Sequence, residues 1–375
     1  MRVSEEYFNS KTEDISFISL REDKTLELKD LTLDKDLPLP VVTNRLLTEL
    51  NKLDDNNGIT IQRVIEGILH LIGADQDFIH REEYGKILDG ILSKPEEEIF
   101  AMGLTKLEEG DLDESGLIFR AFNSLYGSRD SEFYYAMVLE GMGRKYFDRG
   151  DLDLGNKFLE ESTTILEELL NEDTTFYPAY YKLGYHYKFY EQFTKAKLTW
   201  DKVLVYDPDE NRRQEIRQEI ALIDLDSRVE LGLSYLNNMM YEDAIEVLIK
   251  LMPKEIKNWY INYLLGMAYR GYGDNLTAIE YFYQALDNEE NPQDVYNELG
   301  ITFFNDGNIE KAISIFTEGI DKLEEDYRLY FNRGLGYLNL GLIDKGYEDI
   351  KIAASLNPED ENIQVQLNAI EKFYE

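Results

Sequence analysis

The sequence predicts an all-α fold built from stacked helix pairs, and three observations carry that prediction. Proline and glycine, the residues that cost most inside a helix, are scarce: 8 and 25 in 375 residues. Small residues flanked by large apolar ones recur at a fixed period of 34 residues through the C-terminal half. The 43% hydrophobic content, with 27 Tyr and 18 Phe, supplies more apolar material than a disordered chain holds.

The period is set by Leu265-Gly266-Met267-Ala268-Tyr269, which returns as Leu299-Gly300-Ile301-Thr302-Phe303 and as Arg333-Gly334-Leu335-Gly336-Tyr337. After each comes a turn glycine (Gly273, Gly307, Gly341) and a second small residue (Ala278, Ala312, Gly346). A large residue (Phe282, Phe316, Ile350) and a third small one (Ala285, Gly319, Ala353) complete the copy. Antiparallel helices approach closely only where small residues face each other, with aromatics filling the gaps. This order resembles the tetratricopeptide repeat. The segment from Tyr177 to Pro208, with Gly184, Tyr187, Phe193, Ala196 and Trp200, is the cleanest copy. The resemblance implies a right-handed superhelix, an α-solenoid of about seven helix pairs. Its small anchors are Gly103, Gly143, Gly184, Gly232, Gly266, Gly300 and Gly334.

The elements follow in order. Residues 1–40 lack the repeat; Thr25-Leu26-Glu27-Leu28-Lys29 and Leu31-Thr32-Leu33 alternate, which predicts an extended arm with short strands. Residues 41–94 predict three helices, near 42–53, 60–72 and 77–92, as an N-terminal cap. A helix-turn-helix DNA reader is disfavoured there, because the stretch has no basic helix. The repeats occupy 95–358, the first two being degenerate. Anchor spacings of 40, 41 and 48 residues put insertions of 6, 7 and 14 before the regular block. Seven and fourteen residues are close to whole helical turns, so long helices are expected at 155–172 and 209–237. The six extra residues before Gly143 read as a longer loop near Tyr126–Asp130. Residues 359–375, with Ile363, Leu367, Ile370 and Phe373 at helical spacing, predict a capping helix.

A net charge of −36 repels phosphate backbones and anionic lipid, so no nucleic acid and no membrane is expected as partner. The acidity either keeps a tyrosine-rich solenoid soluble or steers in a basic protein or peptide. No cysteine is present, and no apolar stretch follows the N-terminus, which fits a cytoplasmic chain. His70, His80 and His186 stand apart from one another, and HExxH, GxSxG, phosphate-loop and EF-hand spacings are all missing. No catalytic, cofactor-binding or metal residue is assigned, and His186 is read as inter-helix packing.

In the family this chain resembles, the first helix of each repeat lines a concave groove that takes a peptide or protein segment. Carried over by register, the groove positions are Tyr181, Tyr185 and Phe189; Val229, Leu233 and Asn237; Tyr263, Met267 and Arg270; Asn297, Ile301 and Phe304; and Phe331, Leu335 and Asn339. The aromatics would anchor apolar side chains, the amides a peptide backbone and Arg270 a carboxylate. Asn237, Asn305 and Asn339 also read as helix terminators. The Lys, Asn and Arg clamp of the chaperone-binding members is missing; only Lys182 and Asn332 stand at polar groove positions. The sequence therefore predicts a non-enzymatic scaffold or adaptor, with a peptide-responsive regulator using residues 1–94 as effector as the alternative.

Overall fold

The structure, a computed structural model, describes residues 2–19, 27–28, 31–32, 37–50, 60–252, 258–287, 293–323 and 325–374. Among these it holds nineteen α-helices and two small antiparallel sheets, in two compact units, Met1–Gln218 and Glu219–Glu375.

The first unit opens with a helix, α1 (Val3–Asn9), and a 3-10 turn (Ser10–Asp14), where alternation had predicted an extended arm. The reason is tertiary: Phe8 is wholly buried, and seven residues would not hold a helix without such an anchor. Four short strands follow, β1 (Ile15–Ile18), β2 (Glu27–Leu28), β3 (Leu31–Thr32) and β4 (Leu39–Val42). β1 pairs with β4, Ile15 opposite Val42, and β2 pairs with β3. The rest of the alternating stretches, residues 25, 26, 29 and 33, lie outside the described residues.

Three helices come next, α2 (Thr43–Leu50), α3 (Ile61–Ala74) and α4 (Arg81–Ile91). α3 is buried along nearly its whole second half and is the axle of the first core. Gly67 lets it touch β4 so closely that a Cβ would lie 2.0 Å from the Pro40 carbonyl oxygen. The Tyr84 hydroxyl donates to the Pro38 carbonyl at 2.6 Å and ties α4 to the same place. Ile68, Ile72, Tyr84 and Leu88 then share one core with Ile99, Ile118 and Phe122 of the first helix pair.

The pairs are α5 (Pro95–Glu108) with α6 (Leu112–Leu125), α7 (Arg129–Asp148) with α8 (Leu152–Glu172), and α9 (Tyr177–Phe189) with α10 (Phe193–Tyr206). α11 (Glu210–Asn237) spans the boundary between the units. Its second half pairs with α12 (Tyr241–Ile249) in the second unit. There follow α13 (Trp259–Tyr272) with α14 (Asn275–Leu286), α15 (Gln293–Asn305) with α16 (Ile309–Leu323), and α17 (Tyr327–Asn339) with α18 (Ile343–Leu356). α19 (Glu361–Tyr374) closes the unit, burying Ile363 and Ile370 against Ile350 and Ala353. Leu367 packs there too, and the side chain of Phe373 lies outside the described residues.

One geometry repeats through all the pairs. Each anchor glycine faces a large residue sixteen positions later: a Cβ on Gly184 would lie 2.1 Å from Trp200, on Gly266 2.5 Å from Phe282, and on Gly300 2.2 Å from Phe316. Seven positions after each anchor the backbone turns left-handed, at Gly110, Gly150, Glu191, Met239, Gly273, Gly307 and Gly341. The next amide closes the turn on the helix just ended, as Asp151 to Tyr146 at 3.0 Å and Asp274 to Tyr269 at 2.9 Å do.

The insertions behave in two ways. α8 and α11 are long, at 21 and 28 residues, as whole-turn insertions require. The six residues expected as a loop before Gly143 instead lengthen α7, which starts at Arg129 and has 20 residues. Ser128 caps it by accepting from the Ser131 amide at 3.1 Å, and Phe133 and Tyr134 supply aromatic packing, the former 5.6 Å from Phe176. The extensions of α7 and α8 run side by side, and Arg129 pairs with Asp173 just past the end of α8.

Candidate partner-binding surface

The first helix of each pair carries the residues expected to face a partner, and each unit holds its own share. In the first unit, α9 presents Tyr181, Tyr185 and Phe189. Tyr181 and Tyr185 lie one turn apart, and both hydroxyls donate to Glu215 Oε1, at 2.8 and 2.6 Å. Their rings meet edge-on at 5.3 Å, and Tyr185 meets Trp200 edge-on at 5.0 Å. Burial, and then the bond to Glu215, pushes both phenols above their ordinary range, so they stay protonated donors at neutral pH. Phe189 is 54% exposed, and its ring stands 5.4 Å from Phe147.

Next to them lies a buried ionic cluster centred on Glu140 of α7. Lys182 Nζ stands 3.1 Å from Glu140 Oε2, His186 Nε2 3.6 Å from it, and Arg144 pairs with Oε1. His186 turns its other nitrogen to the Thr163 hydroxyl of α8 at 2.9 Å, the packing role expected of it. Burial pushes the Glu140 carboxyl upward, but the pull of His186, Lys182 and Arg144 outweighs it and holds the group at about 2. Lys182, a polar groove position, is thus already matched by a carboxylate of its own chain.

In the second unit, Tyr263 and Met267 of α13 pack with Ile301 and Phe304 of α15 around the Phe282 and Phe316 core. Tyr263 is half-buried; burial, with the charges of Glu298 and Asp294, pushes its phenol up to about 12. Arg270 lies 2.5 Å from Glu298, so its guanidinium already holds a carboxylate, and a partner's acidic group would have to displace Glu298. Asn297 is 6% exposed and accepts from Asn332 Nδ2 at 2.7 Å, an amide link from α15 to α17. Leu233 of α11 packs with Leu248 and Leu264, and Phe331 and Leu335 of α17 pack beside Ile350. Asn237, Asn305 and Asn339 are each the last residue of their helix.

Sequence reasoning named the groove residues and missed the carboxylates that meet them: Glu215 at Tyr181 and Tyr185, Glu140 at Lys182 and Glu298 at Arg270. A signal for such partners exists, since several links join residues 34 or 35 positions apart. Tyr181 reaches Glu215 over 34 residues and Asp294 reaches Arg328 at 2.6 Å over 34. Asn297 reaches Asn332 over 35. Among the described residues no cluster of three or more His, Asp or Glu is placed to hold a metal, and no helix is long and apolar enough to cross a membrane.

A profile of the tetratricopeptide repeat matches residues 260–292, the fifth pair. No curated protein matches the sequence. Among solved structures the chain is similar to YrrB, described as a TPR protein with an unusual peptide-binding site, at 18% identity over 54% of this chain and 97% of that one, TM-score 0.37. It is similar to MamA at 24% identity over 49% and 92%, TM-score 0.37. It is also similar to a tetratricopeptide repeat protein from Parabacteroides merdae at 17% identity over 74% and 98%, TM-score 0.35.

Proposed function

We propose that this chain, a tetratricopeptide-repeat protein and hence an interaction scaffold, holds a peptide or protein segment on the first-helix face of its pairs by aromatic and apolar contacts. The observation that carries the reading is the side-chain chemistry of that face in the second unit. Tyr263, Met267, Ile301, Phe304, Phe331 and Leu335 are all partly buried, with surface left to cover. The polar groups between them are paired within the chain, Arg270 with Glu298 by charge and Asn297 with Asn332 by a hydrogen bond. A face of partly buried aromatics between polar groups already paired within the chain suits anchoring of apolar side chains better than capture of a free carboxylate. The excess of 75 acidic over 39 basic residues favours a basic segment, whose arrival the field would speed.

The test is capture of partners from a host lysate by wild type and by Tyr263→Ala/Phe331→Ala, with circular dichroism confirming that the variant folds. Loss of the captured protein in the variant, and weaker capture as salt rises, is the expected result. Equal capture by both proteins would move binding off this face. A second reading, with residues 1–94 as an effector segment, is supported by the docking of α1 on α6 and α8; it predicts that partner capture changes hydrogen exchange in residues 3–14.

A further inference from the structure

We infer that the surface formed by α6 and α8 is a second binding site, for a short helix carrying the pattern hydroxyl–x–x–Tyr–Phe, and that residues 2–9 of the chain occupy it in cis. The reading of the first-helix face plays no part in this, because α6 and α8 are second helices of their pairs.

The ligand side is a single short segment. Phe8 inserts its ring over Gly116 of α6, where a Cβ would lie 2.3 Å from the ring. The Arg120 guanidinium covers the ring at 5.3 Å, and Tyr135 meets it at 6.3 Å. The Tyr7 hydroxyl donates to Asp113 at 2.6 Å, and its ring meets Phe158 edge-on at 5.8 Å. One turn earlier, Ser4 donates both its amide, at 3.0 Å, and its hydroxyl to the buried carboxylate of Glu161.

The receptor side has holds of its own besides those on that segment. Arg120 is held by the Gly73 carbonyl at 2.6 Å and the Tyr135 hydroxyl at 3.4 Å, outside α1, and also donates to Asn9 Oδ1 at the end of α1 at 3.5 Å. A seven-residue helix has no stability of its own, so α1 is ordered by the surface it lies on. It also fails to fill that surface: a cleft of about 760 Å³ stays open beside it, walled by Arg2, Glu6 and Tyr7 on one side and Leu154, Lys157 and Thr164 on the other. An aromatic recess, a buried carboxylate and an underfilled cleft suit a helix-in-groove ligand. The tethered segment has the advantage of high effective concentration, so an outside helix competes once the tethered one is weakened.

The probe is a fluorescent peptide of residues 2–14, titrated by anisotropy into full-length wild type, Phe8→Ala and Phe8→Ala/Gly116→Leu. Phe8→Ala should bind it at least tenfold more tightly than wild type. Adding Gly116→Leu, or removing the phenylalanine from the peptide, should cost at least tenfold. Equal or absent binding across the three folded proteins would overturn the site. If Phe8→Ala does not fold, hydrogen exchange on wild type decides. α1 amides exchanging at least tenfold faster than those of α6 support an exchangeable segment, and equal rates show a fixed part of the core. A wild-type dimer that trades α1 between copies would overturn occupancy in cis.

Discussion

Single residues decide how well each pair is joined. Glu191 and Met239 hold φ of 57°, where the other pairs have glycine at 74° to 97°. A side chain in that region costs about 1–2 kcal/mol, so Glu191→Gly and Met239→Gly are each expected to raise stability by about 1 kcal/mol in urea unfolding. Gly184→Ala should do the reverse, costing roughly 1–3 kcal/mol because its Cβ would meet the Trp200 indole. Glu140 is the electrostatic counterpart. Its folded value of about 2 lies below its ordinary 4.5, so its contribution is present above about pH 4.5 and lost as pH falls toward 2. Glu140→Gln should therefore cost about 3 kcal/mol at neutral pH, and the gap to wild type should shrink across that interval in pH-dependent urea melts. The glycines and the large residues facing them were legible in the sequence, because each needs only its neighbours at fixed spacing. The charge around Glu140 was not: Lys182 lies 42 residues away, and only the fold brings it near.

At the scale of elements, the start of each second helix shows which local signals matter. Asp111, Asp151, Asp274 and Asn308 accept a hydrogen bond from the amide three residues on, while Leu342 stands at the same place and cannot. Leu342 has φ −87° and ψ 64°, close to the −91° and 76° of Asp274. Leu342→Asp should therefore add about 1 kcal/mol by capping, measurable by thermal unfolding, and Asp274→Ala should lose a similar amount. The turns inside the pairs were readable where turn glycine and period agree, at Gly273, Gly307 and Gly341. The start of α7 was misread, because Gly127-Ser128 looks like the middle of a loop, whereas Gly127 turns at φ 63° and Ser128 already caps the next helix. α1 was unreadable for another reason: its order comes from Phe8 meeting Gly116, over a hundred residues away.

For the molecule as a whole, an excess of 36 negative charges sets a self-repulsion that compact folding must overcome. Raising sodium chloride from about 0.05 to about 0.5 M should therefore raise the unfolding temperature by several degrees, since screening removes long-range repulsion before it weakens buried pairs such as Glu140 with Lys182. The same addition should weaken capture of a basic segment. Stability and binding moving in opposite directions with salt would separate the charge's effect on the fold from its effect on the partner.

Distances within a pair stay constant, seven positions from anchor to turn and sixteen to the facing residue, while distances between anchors run from 34 to 48. Length can therefore vary only at the joints. A gene copying error that adds or removes residues inside a pair breaks two contacts at once, whereas one that falls between pairs adds helix turns and is inherited. Recombination on such a chain works like splicing prefabricated modules with adjustable couplings, which gives an engineer the cut points directly: just before the first helix of a pair, never after its glycine.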